Sequence, residues 1–242
     1  MPAIQTHALR KVYKDVVAVD RLDLIVEKGE LFALLGVNGA GKTTVIKMLS
    51  CLTRPTDSDA DICGKSILRD TAAVKSMIAV SPQETAVAPG LTVKENLELM
   101  CGIHSFSKEK SAEKIAQLSE MLSLDTVLGK KAGKLSGGWQ RRLSIAMALI
   151  SDPEVLFLDE PTLGLDVLAR SDLWDIIRAL KGKATIVLTT HYMEEAEALS
   201  DRIGIMKDGR LLIADTAENI KKAAGTDDFE QAFIRTVKGA NV

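Results

Sequence analysis

The chain has 242 residues, 46% of them hydrophobic and 26% charged, which is ample for one large domain or a domain with an inserted lobe. A formal net charge of -2 gives no electrostatic reason to expect a nucleic-acid partner. The three cysteines form no C-x-x-C pair, so neither a zinc site nor a disulfide framework is indicated. No segment approaches the ~18 consecutive apolar residues of a membrane span, and no secretory pattern opens the chain. We therefore expect another chain to supply any membrane contact.

The first thirty residues alternate between apolar and polar side chains and end at a turn of Lys28, Gly29 and Glu30. This alternation predicts an antiparallel sheet edge that leads into the next strand. Tyr13 lies in the turn between two strand candidates, where its ring could stack on a base. On spacing alone, a surface tyrosine packed on its own sheet is the favoured alternative.

A phosphate-binding loop follows, between an apolar run at 31–35 that predicts a buried strand and a run at 45–49 that predicts a helix. Backbone N–H groups can surround phosphates only where no Cβ intervenes, and glycine allows that approach. Lys42 can reach the β and γ phosphates, the Thr43 hydroxyl can ligate Mg²⁺, and the helix N-terminus adds a favourable dipole. The residues expected to bind nucleotide here are Gly36, Asn38, Gly39, Ala40, Gly41, Lys42, Thr43 and Thr44.

Two segments come next. Residues 54–61 are rich in turn formers and acids, which predicts a solvated loop. Residues 74–80 predict a strand that closes at Ser81, Pro82 and Gln83. Because polar residues at the carboxyl ends of strands face the ligand crevice of an open α/β sheet, Gln83 is a candidate site residue.

From 92 to about 131 the apolar spacing becomes helical, which predicts a helical insert. The insert ends at Leu135, Ser136, Gly137 and Gly138, just before a strongly apolar helix. A Ser-Gly-Gly at a helix start predicts a second anion-binding site. An ordinary N-cap would explain Ser136 but not the adjacent glycine pair.

Two further strands end in polar residues. The apolar run at 155–158 predicts a buried parallel strand that ends at Asp159 and Glu160. Asp159 could belong to a Mg²⁺ shell and Glu160 could polarise the attacking water, although adjacent acids could also be plain turn residues. The strand at 185–190 ends at His191, again on the crevice side.

The last part of the chain predicts a hairpin at 202–214 that turns at 207–210. One or two amphipathic helices are expected from 217 onward. Phe229 and Phe233 are spaced for one helical face, so we expect them in the core.

The motifs taken together resemble those of the ATP-binding cassette ATPases, and the resemblance covers nearly the whole chain. The matching features, in the family's order, are the phosphate loop, Gln83, Leu-Ser-Gly-Gly at 135–138, Asp159-Glu160, Leu-Gly-Leu-Asp at 163–166, and His191. Leu-Ser-Gly-Gly distinguishes this family, whereas many nucleotide enzymes share the phosphate loop.

The resemblance implies an α/β fold: a P-loop NTPase (RecA-like) core with an antiparallel β edge and an inserted α-helical subdomain. The whole chain, 1–242, would be a single ATPase domain. The core and β subdomain would take 1–83 and 142–215, the helical subdomain 84–141, and a helical tail 216–242.

The resemblance also implies a role for each matching position. Tyr13 looks like the adenine-stacking aromatic of the family. The implied catalytic residues are Glu160, Gln83 and His191, and His191 would sense the γ-phosphate. The implied metal ligands are Thr43, Gln83 and Asp159. In the family two cassettes pair head to tail, so Ser136, Gly137, Gly138 and Asp166 would act in trans, on the ATP held by the other protomer.

ATP and Mg²⁺ are the implied cofactors. The implied partners are a second ATPase subunit, expected to be a copy of this chain, and a transmembrane permease, with no nucleic acid. The chain would then be cytoplasmic and peripheral on the cytoplasmic face of the cell membrane. Residues 91–96, 162–166 and 228–233 are similar to bacterial exporters of drugs, lipids or polysaccharides, which favours export over import.

Two other classes of protein share part of this pattern. A soluble cassette ATPase acting on ribosomes, DNA or iron-sulfur assembly would use the same motifs. A kinase or GTPase would give no role to the 135–138 segment, and the chain lacks an Asn-Lys-x-Asp guanine reader. The chain departs from the commoner family pattern at Trp139, which could alter the lobe's contact with its partner, and at 57–59, where a glycine normally helps the turn.

Overall fold

The computed structural model describes residues 1–239, in eleven strands and nine α-helices. The strands are β1 (Ile4–Tyr13), β2 (Val16–Leu22), β3 (Ile25–Val26), β4 (Leu31–Gly36), β5 (Asp57–Ile62), β6 (Lys65–Ser66), β7 (Ile78–Ser81), β8 (Val155–Asp159), β9 (Thr185–Thr190), β10 (Arg202–Lys207) and β11 (Arg210–Asp215). The helices are α1 (Lys42–Leu49), α2 (Thr71–Met77), α3 (Val93–Ile103), α4 (Lys108–Met121), α5 (Gly137–Leu149), α6 (Val167–Leu180), α7 (Met193–Leu199), α8 (Ala217–Ala224) and α9 (Phe229–Gly239). No helix within 1–239 is long and apolar enough to cross a membrane.

The central sheet has six strands in the order β11-β10-β4-β9-β8-β7. All neighbouring pairs are parallel except β10 and β11, which form the expected hairpin. Strands β4, β8 and β9 are buried along their whole length, as continuous apolar runs require when both faces of a sheet are covered. The carboxyl ends of the parallel strands meet at one edge of the sheet, where the site residues lie.

Each face of this sheet has its own core. Leu31, Ala33 and Leu35 of β4 face the core that includes α5, α6, α7 and the helical insert. Phe32 and Leu34 face the core shared with α1 and the antiparallel strands. Because successive side chains of β4 point into different cores, β4 packs against the layers on both faces of the sheet, and the phosphate loop follows directly after it.

The second sheet is antiparallel and has the order β2-β1-β5-β6, with β3 also paired to β1. It confirms the predicted antiparallel edge. The prediction of a solvated loop at 54–61 was wrong for its second half, because β5 pairs with β1 and places Thr6 opposite Ala60. The acidic side chains of β5 stay at least partly exposed, while Ala60 and Ile62 are buried. The acidic segment is therefore a strand with one face toward the core and one face toward solvent.

The prediction of a strand at 74–80 was wrong in its first half. Residues from Thr71 to Met77 form α2, and the strand begins only at Ile78. In α2 only Val74 is buried. A short helix that touches the core at one residue shows this pattern, whereas a strand would bury every second residue. The two apolar stretches are contiguous in sequence, so the boundary between them has no local marker.

The helices predicted in the insert and in the tail are present, as α3 and α4 and as α8 and α9. Helix α3 begins at a capping box formed by Thr92 and Glu95. Phe229 and Phe233 are buried in the core as predicted, while residues 240–242 of the predicted tail lie outside the described residues. Since α3 and α4 lie wholly within 84–141, we keep the proposed subdomain boundaries, with α5 beginning inside that segment.

Ser58 lies in the segment 57–59, where the family that the sequence resembles normally has a glycine, and its φ of 68° is in the left-handed region. A side chain costs about 1–2 kcal/mol there, whereas glycine loses about 0.5–1 kcal/mol more entropy on folding. We therefore expect Ser58→Gly to raise the free energy of unfolding by about 0.5 kcal/mol. Urea unfolding measures this change, and Ser58→Ala, which keeps the Cβ, is the control that gains nothing. Equal stability of the Gly and Ala variants would contradict the expectation.

Candidate nucleotide site

The loop between β4 and α1 needs glycine at two places for steric reasons. Gly41 has a φ of 102°, and a Cβ on it would lie 2.4 Å from the Ala18 carbonyl oxygen. A Cβ on Gly36 would lie 2.5 Å from the Met206 carbonyl oxygen. The loop is therefore clamped between β2 and β10, and its backbone can pass there only without side chains.

Lys42 is the first residue of α1 and is only 5% exposed. Its Nζ donates to the carbonyl oxygens of Gly36 at 2.7 Å and Val37 at 3.3 Å, and lies 3.7 Å from Glu160 Oε1. Burial lowers the pKa of Lys42, and attraction to Glu160 and Asp159 opposes that shift. The ammonium group thus lies under the loop, between backbone carbonyls and two acids.

Asp159 ends β8 and is hydrogen-bonded to both neighbouring elements. Its Oδ1 accepts from the Thr189 hydroxyl of β9 at 2.5 Å and from the Thr43 hydroxyl of α1 at 3.2 Å. A carboxylate and a hydroxyl oxygen therefore lie side by side at the start of α1, and such oxygens are the ligands Mg²⁺ prefers.

Glu160 follows in a left-handed conformation, with a φ of 47°. Its backbone N–H donates to the Thr189 carbonyl and hydroxyl oxygens. Its side chain is turned inward, with Oε2 2.8 Å from His191 Nδ1. An ordinary turn residue would direct its carboxylate to solvent, whereas that of Glu160 lies between a buried lysine and a histidine.

These elements enclose a cavity of about 480 Å³. The predicted residues that line it are Asn38, Gly39, Ala40, Gly41, Lys42, Thr43, Thr44, Gln83, Glu160 and His191. Gly36 lies beneath the loop and binds Lys42 through its carbonyl. The structure thus brings together side chains from four separate predicted segments.

Tyr13 does not line this cavity. Tyr13 is 43% exposed, and the Lys11 ammonium lies 4.9 Å from its ring centroid. Tyr13 pairs with Val16 across the β1-β2 hairpin, and Val16, Val17 and Ala18 do line the cavity. Sequence reasoning missed those three residues, although their position in the strand after Tyr13 was a usable signal.

Gln83 is held by a residue that sequence reasoning also missed. Arg141 of α5 donates from Nη1 to the Pro82 carbonyl and from Nη2 to the Gln83 carbonyl, both at 2.6 Å. Burial lowers the pKa of Arg141, and attraction to Asp159 and Glu195 opposes that shift. The segment that enters the helical insert is thereby fastened to the helix that begins at Gly137.

The Ser136 segment lies elsewhere. Ser136 is the N-cap residue of α5, but its side chain makes no capping hydrogen bond, and neither Ser136 nor the glycines after it line the cavity. The segment at 163–166 is its neighbour, since a Cβ on Gly137 would lie 3.7 Å from Leu165 Cδ2. Asp166 is the N-cap of α6 and accepts from Ala169 N–H at 2.9 Å. The N-terminus of α5, which has no side-chain cap, therefore lies apart from the phosphate loop.

Trp139 lies in the first turn of α5, and the Arg142 guanidinium carbon is 4.9 Å from its ring centroid. Arg142 also pairs with Asp172 of α6 at 2.8 Å. The tryptophan that departs from the family pattern thus lies against the arginine that links α5 to α6.

Comparison with known proteins places the chain among transport ATPases. The family model described as "ABC transporter" matches residues 19–163, and one described as an AAA domain, putative AbiEii toxin, matches 131–196. The doxorubicin resistance ATP-binding protein of Mycobacterium tuberculosis is 40% identical over 98% of this chain and 72% of its own length. A Nod factor export ATP-binding protein of Burkholderia pseudomallei is 41% identical over 86% of this chain and 68% of its own length.

Solved structures agree with this. The ATP-binding subunit of an ABC transporter has a TM-score of 0.86 at 26% identity, covering 97% of this chain and 99% of its own. A dimeric ATP-binding cassette in a post-hydrolysis state with ADP and Pi has a TM-score of 0.79 at 26% identity, covering 88% of this chain and 98% of its own.

Proposed function

Because this chain belongs to the ABC transporter family, as an ATP-binding and ATP-hydrolysing subunit, we propose that it drives export through a separate transmembrane permease. Relatives named for daunorubicin and doxorubicin resistance, and one named for Nod factor export, support the direction of transport. The chain would lie on the cytoplasmic face of the cell membrane, because ATP is available there. The cargo would bind the permease and not this chain.

The observation that carries the mechanism is the separation of the two anion-binding elements. The phosphate loop lines a cavity that Ser136, Gly137 and Gly138 do not reach within one chain. A helix start with an unused hydroxyl and no acid in its first turn is suited to a phosphate from elsewhere. We infer that two copies pair head to tail, so that each Ser136 segment and Asp166 complete the ATP site of the other copy. The solved dimeric cassettes support this arrangement.

Within one protomer, the loop from Gly36 to Thr44 would hold the phosphates. Lys42 would exchange its carbonyl partners for phosphate oxygens, and Tyr13 would stack on adenine from the neighbouring hairpin. Such exchange costs little because the ammonium group stays hydrogen-bonded throughout.

The residues around Asp159 fit Mg²⁺. Among residues 1–239 no group of three or more His, Cys, Asp and Glu side chains could hold a metal. Thr43, Asp159 and Gln83 instead offer one hydroxyl, one carboxylate and one amide, which suits an ion that is also bound to substrate phosphates. When bound, Mg²⁺ would neutralise charge on those phosphates.

Glu160 would accept a proton from the attacking water, since its carboxylate is inside the cavity and held beside His191. His191 would sense the γ-phosphate from the end of β9. Gln83 would couple ATP binding to movement of the helical insert, through the segment that Arg141 holds by hydrogen bonds. ATP binding would close the dimer and hydrolysis would open it.

Affinity purification from detergent-solubilised membranes tests the transport role. We expect a tagged chain to retain an integral membrane protein with several spans, and to lose it when the membranes are omitted. Recovery with ribosomes, DNA or a soluble scaffold in place of such a protein would contradict the proposal and favour the soluble class of cassette ATPase.

A further inference from the structure

His191 reaches Glu160 from the loop after β9, and an aromatic neighbour lies against its imidazole. The rings of His191 and Tyr192 have centroids 4.1 Å apart and planes tilted by 40°. Aromatic rings at this separation prefer particular orientations. The direction in which His191 Nδ1 points therefore depends on where the Tyr192 ring lies.

Tyr192 is itself held from the other side. The guanidinium carbon of Arg170, on α6, lies 4.5 Å from the Tyr192 ring centroid, within the range of a cation–π contact. The Tyr192 backbone N–H donates to the Thr190 hydroxyl at 3.0 Å. The phenol ring is thus placed between a guanidinium and an imidazole.

A buried acid lies behind the stack. Glu195 of α7 is fully buried, and its Oε1 accepts from Trp174 Nε1 at 3.2 Å. Burial raises the pKa of Glu195, while the hydroxyls of Thr190 and Thr162, the Trp174 indole and the charge of Arg170 act in the opposite direction. Trp174 and Arg170 lie one turn apart on α6, so α6 and α7 are joined directly behind the stack.

Space for an alternative position of the imidazole exists next to the stack. A second cavity, of about 550 Å³, is lined by Arg170, His191 and Tyr192, and His191 also lines the nucleotide cavity. The imidazole therefore lies between the nucleotide cavity and this second cavity. Without the Tyr192 ring beside it, it would have room to rotate away from Glu160.

We propose that Tyr192 is a positioning residue for ATP hydrolysis, whose ring, held by Arg170, keeps the His191 imidazole against Glu160. The proposal rests on the proposed roles of Glu160 and His191. It assigns Tyr192 no contact with ATP, so its loss should affect turnover more than binding.

The test compares Tyr192→Leu with Tyr192→Phe, by steady-state kinetics and by crystal structures of both variants. We expect Tyr192→Leu to lower kcat about tenfold, less than the ~10²-fold that misplacement by 1 Å can cost, with KM for ATP changed less than about twofold. Tyr192→Phe keeps the ring and should stay within about twofold of the wild type. In the crystal, the His191–Glu160 hydrogen bond should be lost in Tyr192→Leu and kept in Tyr192→Phe.

Met193→Leu, in the wall of the same cavity but outside the stack, is the matched control and should behave as the wild type. Unchanged kcat in Tyr192→Leu, an equal loss in Tyr192→Phe, or a loss with the His191–Glu160 bond intact would each overturn the proposal. If Tyr192→Leu does not fold, Arg170→Met carries the same test, with the same direction of change expected. A wild-type chain without ATPase activity would refute the proposed function, while the two crystal structures would still decide whether Tyr192 positions His191.

Discussion

Glu160→Gln is expected to bind ATP as the wild type does and to hydrolyse it at least 10²-fold more slowly, the scale of general-base loss. The substitution keeps the volume of the side chain and an oxygen that can face His191 and Lys42. It removes the carboxylate that would take the proton of the attacking water. Phosphate release measures turnover, and equilibrium binding of a fluorescent ATP analogue measures affinity.

Glu154→Gln is the matched control for that variant. Glu154 precedes β8, at its opposite end, and pairs with Lys28 on the surface at 3.7 Å. An exposed pair of this kind contributes little, so its loss should leave turnover unchanged. Undiminished turnover in Glu160→Gln would remove Glu160 from the role of general base.

Ser136→Arg is expected to reduce turnover of the homodimer by about 10²-fold or more, the scale of losing a donor to transition-state charge. The free Ser136 hydroxyl and the N–H groups of Gly137 and Gly138 would face the partner's γ-phosphate. A long arginine side chain would hold the two protomers apart. Binding of ATP to the isolated chain should persist, because the phosphate loop lies in a different place.

Ser107→Arg provides the comparison. Ser107 is also an N-cap serine, at the start of α4, and its side chain accepts from Lys110 N–H. Its replacement should cost about 1 kcal/mol of stability, as cap removal does, with no loss of turnover at a temperature where the protein is folded. A similar loss of turnover in both variants would show that Ser136 acts through folding alone.

The parts of the fold that follow from local patterns could be predicted. Buried parallel strands show as short apolar runs, and β4, β8 and β9 are such runs. The hairpin at Lys207–Arg210 and the amphipathic tail helices also carry their own local signals. Since motif positions lie at the ends of these strands, the phosphate loop, Gln83, Glu160 and His191 could be predicted to share one cavity, whereas its wall of Val16, Val17 and Ala18 was missed.

Features that depend on distant contacts could not be predicted. Arg141 holds the Gln83 segment from 58 residues away in the chain, and no spacing marks that pairing. The stack of Arg170, Tyr192 and His191 joins α6 to the loop after β9 in the same way. In β5, pairing with β1 overrode turn-rich, acidic composition, because tertiary context decides strand formation.

The composite nature of the ATP site is tested most directly by distributing two defects, Lys42→Ala and Ser136→Arg, over mixed dimers of differently tagged chains. The measurement is ATP retained per dimer after gel filtration, in a Glu160→Gln background that prevents its consumption. If the sites are completed in trans, defects on separate chains fall in the same site of the two-fold dimer, which leaves one intact site and about one ATP retained. Both defects on one chain should then leave no intact site and no retained ATP. The reverse pattern, with ATP retained only when one chain carries both defects, would contradict completion in trans.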